Sequence, residues 1–538
     1  MRRTETSSKI KGEQREEQQA ALSKPLRLRK APVMLAAASG ILAAGLVLGV
    51  AELAGGFFRA AATPLVALGA SFIDFTPPWL KNFAVATFGT SDKLALFISM
   101  GIVVAVLAAA TGYLAYRCWP FGLVLLVTLG AVVAAAVLSR AGARPLDIIP
   151  TLAGTVCGIV ALRLMVRRIL RNGAQPAMPP AQAPARRSFL TAASLTAVAA
   201  VGAGAGGRVV SGLRNTAQKT REALSLPRAA QPAPALPQGV QSPVAGVTPF
   251  VTPNGDFYRI DTALAVPQVD ARSWELRVHG MVDKEVRLSF QDLLDADLVE
   301  AYVTLTCVSN PVGGNLAGNA KWLGYPLRKV LEQAHPQPGA DMVLSTSVDG
   351  FSASTPLSVL QDGRNAMLAV GMNGQALPLE HGYPVRMVVP GLYGFVSATK
   401  WVVDLEVTRF KDKTSYWTDR GWSPRGPIKT ASRIEVPKSF AKVKAGKVWI
   451  GGTAWSQHRG ITKVEVQIDD GPWQEAVLAT QANTDTWRQW SFEWDAKAGD
   501  HYLRCRATDA KDGLQTEQRA DPIPNGASGW QSVNVTVQ

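Results

Sequence analysis

The sequence predicts a multi-domain protein that begins with an all-α transmembrane anchor and ends with an all-β, Ig-like sandwich. Its 538 residues are enough for two or three domains. Residues 1–206 are rich in Ala, Val and Leu, whereas residues 248–538 have the composition of a soluble protein. Residues 433–538 contain short runs in which apolar and polar positions alternate, which is the pattern of strands. These observations separate a membrane part from a soluble part.

The charge of the chain agrees with a membrane protein. The formal net charge is +15 at pH 7, and many of the Lys and Arg residues flank apolar segments. No basic patch with interleaved aromatic residues is present, so the sequence argues against a nucleic-acid partner.

Four apolar stretches approach the length of about 20 residues that a helix needs to cross a bilayer core. They are residues 33–53, 94–116, 120–138 and 146–166. Residues 1–32 carry "MRR", "KIKGEQR" and "KPLRLRK", so we expect this basic N-terminus to be cytoplasmic. The stretch 62–73 is too short to cross, and we expect it to be interfacial or external.

A fifth crossing is predicted from "ARRSFLTAASLTAVAAVGAGAGG", residues 185–207. Arg186 and Arg187 precede a weakly apolar run, which resembles a twin-arginine export signal placed inside the chain. The alternative is an ordinary basic flank before a helix. Under either interpretation, residues 33–207 form an anchor of about five helices in the cytoplasmic membrane, and everything after residue 207 lies outside.

No histidine lies in these segments, so the sequence excludes a bis-histidine haem in the anchor. A quinone site or a partner-binding role for the anchor stays open. Residues 208–247 are rich in Ala, Pro and Gln and predict a semi-extended linker. Residues 433–538 predict six or seven short strands, including "ITKVEVQIDDGPWQEAVL" with its turn at "DDGP". Strands of this number and length favour an Ig-like sandwich.

One of the four cysteines stands out by its surroundings. Cys118 and Cys157 lie in or beside apolar segments, and Cys505 lies in an alternating strand where a buried position is expected. Cys307 follows the β-branched run "AYVTLT" and opens the Gly-rich loop "CVSNPVGGN". A glycine-rich loop lets the backbone approach a bulky ligand closely.

A second cluster follows in "MNGQALPLEHGYPVRMVVPGLYGFVSATKWV", residues 372–402. His381, Arg386 and Lys400 lie around its tight turns. Two cations and an imidazole suit a ligand with anionic groups, and a soft thiolate suits a transition metal.

Together these motifs resemble the sulfite oxidase family of molybdenum enzymes. The similar segments are "FYRIDTALAVP", "TLTCVSN", "MNGQALPLEHGYPVRMVVPG", "VSATKW" and "GTAWS…ITKVEVQIDDGPWQEA". They occur in the family's order and cover more than half of the chain. The resemblance implies a mixed α+β molybdopterin-binding domain at 248–432 and a dimerisation role for 433–538.

The resemblance also implies roles for individual residues. Cys307 would be the single protein ligand of molybdenum, with further sulfurs supplied by a molybdopterin (Mo-pterin) cofactor. Arg259 would lie near both cofactor and substrate, and Trp422 stands where the family has a substrate-side tyrosine. The remaining cofactor-binding residues would be Asn310, Asp349, His381, Arg386, Ser397, Thr399 and Lys400.

The chain departs from the family where sulfite would bind. Val312 replaces an arginine five positions after the cysteine, Trp422 replaces the tyrosine, and "PIPNGASGW" lacks a further arginine. Each lost charge-assisted contact is worth about 1.5–3 kcal/mol, so oxyanion binding should weaken unless Arg420 or Arg425 compensates.

The expected activity is therefore two-electron oxygen-atom transfer on a small substrate, either sulfite oxidase-like or as a sulfoxide or N-oxide reductase. A non-enzymatic membrane scaffold with a degenerate cofactor fold is the alternative from another class. The chain has no Cys-x-x-Cys-His motif, so an enzyme of this kind would need an external electron-transfer partner, such as a cytochrome or a quinone-linked protein.

Overall fold

The computed structural model describes residues 30–58, 63–76, 92–139, 145–173, 184–213, 216–263, 265–511 and 513–538. The described residues form two compact units, one ending at Leu213 and one that runs to Gln538. The predicted cytoplasmic segment before Lys30 lies outside the described residues. So do the side chains of Arg186 and Arg187, on which the twin-arginine interpretation depends.

The first unit is helical. Its helices are α1 (Lys30–Gly55), α2 (Pro64–Phe75), α3 (Asp92–Arg117), α4 (Trp119–Leu138), α5 (Ile149–Gly173) and α6 (Pro184–Leu213). Five segments are long and apolar enough to cross a membrane, namely Pro32–Gly55, Ala95–Arg117, Trp119–Leu138, Pro145–Arg171 and Ser188–Val209. They match the predicted stretches. Helix α2 has 12 residues, about 18 Å, which is too short to cross.

Small residues bring these helices together. Helix α1 packs against α3, α5 and α6. A Cβ atom built on Gly40 would lie 1.9 Å from the carbonyl oxygen of Ala108, so only glycine permits this approach of α1 to α3. Close backbone approach at glycines is a common way for helices to associate in lipid.

The second unit begins with α7 (Thr216–Ala223), and the structure differs here from the predicted linker. Leu224, Leu226 and Leu236 pack against the core of this unit, and Val240 is buried. The amide of Ser242 donates to the side chain of Gln489. Residues 224–247 therefore lie along the folded unit, because their scattered apolar side chains find a surface that covers them.

Two sheets follow. Their strands are β1 (Glu275–Gly280), β2 (Val286–Ser289), β3 (Val299–Thr306), β4 (Ala317–Pro326), β5 (Met342–Ser347), β6 (Ser352–Pro356), β7 (Met367–Met372), β8 (Gln375–Ala376), β9 (Arg386–Val388) and β10 (Val402–Thr408). The first sheet has the order β3-β4-β7-β8, with β9 paired to β7, and the second has the order β2-β1-β10-β5-β6.

Short helices connect these strands: α8 (Phe290–Leu294), α9 (Leu327–Ala334) and α10 (Leu357–Gln361). Ser289 caps α8 through a capping box with Asp292. This part is mixed α+β and rich in strands.

The last part of the chain is all-β. Its strands are β11 (Ala431–Val436), β12 (Ala441–Val443), β13 (Gly446–Trp455), β14 (Ile461–Ile468), β15 (Gln474–Glu475), β16 (Val477–Leu478), β17 (Arg488–Ala496), β18 (Gly499–Asp509) and β19 (Gln531–Val537). One sheet has the order β11-β13-β17-β16 and the other β12-β19-β18-β14-β15. Ile450 and Trp490 of the first share one core with Val466, Leu503 and Val535 of the second. The two inner faces therefore pack against each other.

Candidate active site

A cavity of about 120 Å³ opens in the mixed α+β part, beside Cys307. This volume holds several water molecules, so the cavity is more than a packing defect. Its lining comes from five segments: 257–262, 307–309, 347–351, 381–401 and 417–422. The strands β3, β9 and β10 hold these segments, because Cys307 follows β3, Arg386 begins β9 and Lys400 precedes β10.

The thiol of Cys307 lies at the end of β3 and faces this cavity. The residue is 8% exposed, and its amide donates to the carbonyl of Leu316 at 2.9 Å, which fixes the start of the loop. Burial raises the pKa of the thiol, while hydrogen bonds from Ser309 oppose that shift. Without a metal the sulfur is therefore a protonated thiol at neutral pH, and a bound metal cation would favour the thiolate.

Arg386 and His381 are buried side chains on one polar wall. The guanidinium of Arg386 donates to the carbonyls of His381 at 3.2 Å and Met387 at 3.3 Å. Burial lowers its pKa to about 10. Among the described residues it has no carboxylate partner, which is uncommon for a buried cation. The site therefore contains a positive charge that an anionic ligand would neutralise.

His381 is neutral at pH 7, because burial and then the charge of Arg386 lower its pKa to about 4. Its Nε2 lies 3.1 Å from the carbonyl oxygen of Asn254. A carbonyl only accepts, so Nε2 carries the proton and Nδ1 is left as an acceptor.

Lys400 is the second buried cation, and its charge is balanced. Its Nζ donates to Asp261 at 2.8 Å and to the carbonyl of Glu380 at 3.1 Å. Burial lowers its pKa to about 8, although the carboxylate of Asp261 opposes the shift. An isolated antiparallel β-bridge pairs the backbone of Lys400 with that of Arg386, so the two cationic residues are neighbours on adjacent chain segments.

Gly382 makes this arrangement possible. Its φ is 110°, in the region that favours glycine. A Cβ built there would lie 3.0 Å from the Cβ of Arg386 and 3.1 Å from that of Lys400. A larger residue would push the cations apart.

Another part of the lining is aromatic, and Phe395, Trp417 and Trp422 are called its aromatic wall. The rings of Phe395 and Trp422 are 5.8 Å apart, and those of Trp422 and Trp417 are 5.9 Å apart. Phe351 lines the same cavity, and its ring is tilted against that of Tyr416 with the centroids 5.9 Å apart. Trp422, which the sequence placed at the substrate side, belongs to this wall.

The other predicted site residues divide into two groups. Asp349 lines the cavity, whereas Arg259 does not. The Nε of Arg259 pairs with Asp261 at 2.8 Å, and its side chain is 39% exposed. The sequence therefore selected the arginine and missed its neighbours Tyr258 and Asp261, which both line the cavity. Residues 257–262 form no regular strand. Their sequence therefore lacks the alternating pattern that would indicate which side chains face inward.

Asn310, Ser397 and Thr399 also lie outside the lining, and their role in binding the cofactor stays a prediction. The side chain of Asn310 accepts from the amide of Leu316 at 2.9 Å and closes the loop after Cys307. Ser397 donates to the carbonyl of Tyr393, and the hydroxyl of Thr399 bonds that of Ser345. These polar side chains are already satisfied by the protein itself.

Comparisons with known proteins agree with this site. The profile described as "Oxidoreductase molybdopterin binding domain" matches residues 263–417. The sulfite oxidase of Gallus gallus is 30% identical over 325 residues, which cover 51% of this chain and 70% of that protein. The chain belongs to the sulfite oxidase family. The matched profile describes an oxidoreductase domain that binds molybdopterin, and together with the family it implies a Mo-pterin cofactor.

Two further relatives define the extent of the likeness. The mitochondrial sulfite oxidase of Mus musculus is 31% identical over 342 residues, and the chain spans 62% of its length. The sulfane dehydrogenase SoxCD of Paracoccus pantotrophus matches in structure with a TM-score of 0.48 and 24% identity, over 53% of this chain and 81% of that one.

The residues of the cavity fit a Mo-pterin. Among the described residues, no group of three His, Cys, Asp or Glu side chains could hold a metal ion. Cys307 offers the one thiol in the lining. Arg386 and Lys400 offer buried cations for an anionic cofactor, and the acceptor Nδ1 of His381 suits a pterin ring that donates hydrogen bonds.

Proposed function

We propose that the chain catalyses two-electron oxygen-atom transfer on a small substrate outside the cytoplasmic membrane, in the manner of a sulfite oxidase. The observation that carries this proposal is the thiol of Cys307, buried beside Arg386 in one cavity. A thiol that only filled the core would have no reason to share a cavity with a buried cation that lacks a carboxylate.

Each polar residue then has a role. Cys307 binds the metal, and the Mo-pterin supplies the oxygen-atom exchange when it is bound. Arg386 and Lys400 bind the anionic part of the cofactor, while His381 and Asp349 accept hydrogen bonds from the pterin. Asp261 orients Lys400, and Arg259 supports Asp261 from the rim.

A second candidate function is the reduction of a sulfoxide or N-oxide on the same cofactor. The aromatic wall of Phe395, Trp417 and Trp422 favours it, because these rings offer no positive charge to an oxyanion. Both functions use the same thiol and the same cations.

The proposal extends to the organisation of the chain. We propose that the apolar helices anchor the protein as a multi-pass membrane protein, that residues 248–432 bind the cofactor, and that residues 433–538 form an Ig-like domain for a possible homodimer. The five apolar helices support the anchor, and the two packed sheets support the Ig-like assignment. Electrons would pass to or from an external partner, a cytochrome or a quinone-linked protein.

Molybdenum content tests the proposal. The full chain, purified in detergent from a host that makes the cofactor, should contain about one molybdenum atom per chain. Cys307→Ser should abolish turnover. Cys505→Ser is the matched control, because Cys505 is also a buried thiol but lies in β18, within the core of the last two sheets. A folded protein without molybdenum would refute the proposal.

A further inference from the structure

Residues 376–383 connect the polar side chains of the cavity, and we call them the carbonyl segment. Their backbone carbonyls accept hydrogen bonds from three side chains of the lining. These bonds run from Lys400 to Glu380 at 3.1 Å, from Trp401 to Leu379 at 3.0 Å and from Arg386 to His381 at 3.2 Å. The position of the carbonyl segment therefore affects the positions of both buried cations.

Helix α7 contacts this segment at both of its ends. The guanidinium of Arg221 donates to the carbonyl of Leu377 at 2.8 Å and to that of Ala376 at 3.3 Å, where β8 ends. At the other end, the hydroxyl of the fully buried Tyr383 donates to the hydroxyl of Thr220 at 3.1 Å. Two adjacent residues of α7 therefore hold the two ends of the carbonyl segment.

Apolar contacts support the same docking. Ala217 of α7 is 1% exposed and shares one core with Tyr383. A Cβ atom built on Gly371 would lie 2.8 Å from the Cδ1 atom of Leu226, so glycine leaves the room that Leu226 occupies beside β7. Gly371 pairs with Ala376 of β8, the strand from which the carbonyl segment begins. The residues after α7 thus pack beside the same strands as α7.

The arginine suits this position better than a packing residue would. A helix of eight residues is marginal by itself in water, so α7 depends on its contacts with the rest of the unit. The planar fork of an arginine can donate to two neighbouring carbonyls at once, whereas a lysine presents a single point charge. Apolar side chains alone would cover the strands without fixing these carbonyls.

We propose that Thr220 and Arg221 are positioning residues of the cofactor site, because they fix the carbonyl segment and, through it, the side chains of Arg386 and Lys400. This inference rests on the proposed function, since it takes these two cations to bind the cofactor. Helix α6 ends at Leu213 and α7 begins at Thr216. The supporting element therefore follows the last apolar helix directly in the chain.

Hydrogen–deuterium exchange of the cofactor-free full chain in detergent, followed by mass spectrometry, tests the first step. In Arg221→Met, amides of the carbonyl segment should exchange about tenfold faster, because a charge-assisted contact with two carbonyls is lost. Amides of β3 should exchange as in the parent protein. Arg221→Lys should restore part of the protection, since an ammonium can still donate to one carbonyl. Arg228→Met is the matched control, because it removes the same charge from an exposed side chain of the residues after α7.

Retention of molybdenum in the loaded full chain tests the second step. Arg221→Met should lose molybdenum about tenfold faster than the parent protein, because the cations that hold the anionic cofactor are less well positioned. Arg228→Met should lose it at the parent rate. Tyr383→Phe removes only the hydroxyl that reaches Thr220, so it should change exchange and retention in the same direction by a smaller factor of about two to three.

Each outcome decides about the inference. Unchanged exchange of the carbonyl segment in Arg221→Met would overturn it, and so would an equal increase in β3, since α7 would then stabilise the whole unit and not this segment. Faster exchange without faster loss of molybdenum would also overturn it. If Arg221→Met does not fold, Tyr383→Phe decides by the same two measurements. A folded parent protein without molybdenum would instead refute the proposed function, and the exchange measurement does not depend on that result.

Discussion

Replacement of Arg386 by methionine should separate the stability of the protein from its ability to retain the cofactor. The guanidinium is 5% exposed, and its polar contacts are with backbone carbonyls. Burial lowers its pKa from 12.5 to about 10. Each pKa unit corresponds to about 1.4 kcal/mol, so the charged form is disfavoured in the folded state by about 3 kcal/mol.

Methionine keeps an unbranched apolar side chain at this position and removes this cost. Loss of the hydrogen bonds to carbonyls offsets part of the gain. We expect the cofactor-free Arg386→Met protein to be between unchanged and about 3 kcal/mol more stable than the cofactor-free parent. The loaded variant should lose its cofactor at least tenfold faster, because one charge-assisted contact is gone.

The assay is urea unfolding of the full chain in detergent, made in a host that lacks the cofactor pathway and again in one that has it. Tryptophan fluorescence reports on the second unit, because all of the 14 tryptophans except Trp79 and Trp119 follow residue 216. Retention of the cofactor is followed by molybdenum content after gel filtration.

Arg433→Met is the control. The guanidinium of Arg433 is also buried, but it pairs with Glu435 at 2.6 Å. Its loss leaves a buried carboxylate unpaired and should destabilise both forms of the protein by about 3–5 kcal/mol. A loss of more than about 2 kcal/mol in cofactor-free Arg386→Met would refute the argument, since Arg386 would then stabilise the fold by itself.

Three further outcomes follow from the same contacts. Cys307 should react with iodoacetamide slowly at pH 7 in the cofactor-free protein and faster as pH rises, because burial raises the pKa of its thiol, and mass spectrometry of the alkylated peptide measures this. The cofactor-free protein should bind the cofactor more weakly above about pH 8, where Lys400 loses its proton. Lys400→Arg should remove this dependence, and a flat profile in the parent protein would contradict it. Asp261→Asn should destabilise the folded state by about 3–5 kcal/mol, because it leaves the buried Lys400 unpaired, whereas Arg259→Ala should cost less than about 1 kcal/mol in urea unfolding, since that side chain is 39% exposed.

The folded-state pKa of Lys400 also sets the sign of a pH effect on stability. This pKa lies at about 8, below the usual 10.5, so the folded protein binds fewer protons than the unfolded chain between these values. Stability should therefore rise with pH across that interval in the cofactor-free protein, as Lys400 loses the charge that burial disfavours. Cofactor affinity should fall over the same interval, because the cofactor needs that charge.

The sequence predicted the five long apolar helices, because their length and apolar composition can be read directly from the residues. It also predicted that Cys307 would follow a strand and that the cluster His381, Arg386 and Lys400 would come together. Those residues flank short strands in tight turns, and the order of the motifs carried the resemblance. The packing of residues 224–247 was missed, because single apolar residues among prolines show no period.

The rest of the site depends on the orientation of individual side chains, which cannot be read from a sequence. Tyr258, Arg259 and Asp261 are neighbours in an irregular segment, and only the structure shows that the arginine lies at the rim. The same holds for Arg420 and Arg425, which were candidates for the substrate pocket. Their guanidinium groups rest on nearby rings, and these contacts depend on side-chain conformation.

The two buried cations differ in the groups that compensate for their loss of hydration. We infer from this difference that they have different roles in binding the cofactor. Lys400 has the carboxylate of Asp261 at 2.8 Å, so its position is held before any ligand binds. Arg386 has carbonyls, which satisfy its donors and leave its charge uncompensated. A bound anion would therefore gain most at Arg386, where it also relieves the cost of burial. For this reason the substitution Arg386→Met should change cofactor binding and folding stability in opposite directions.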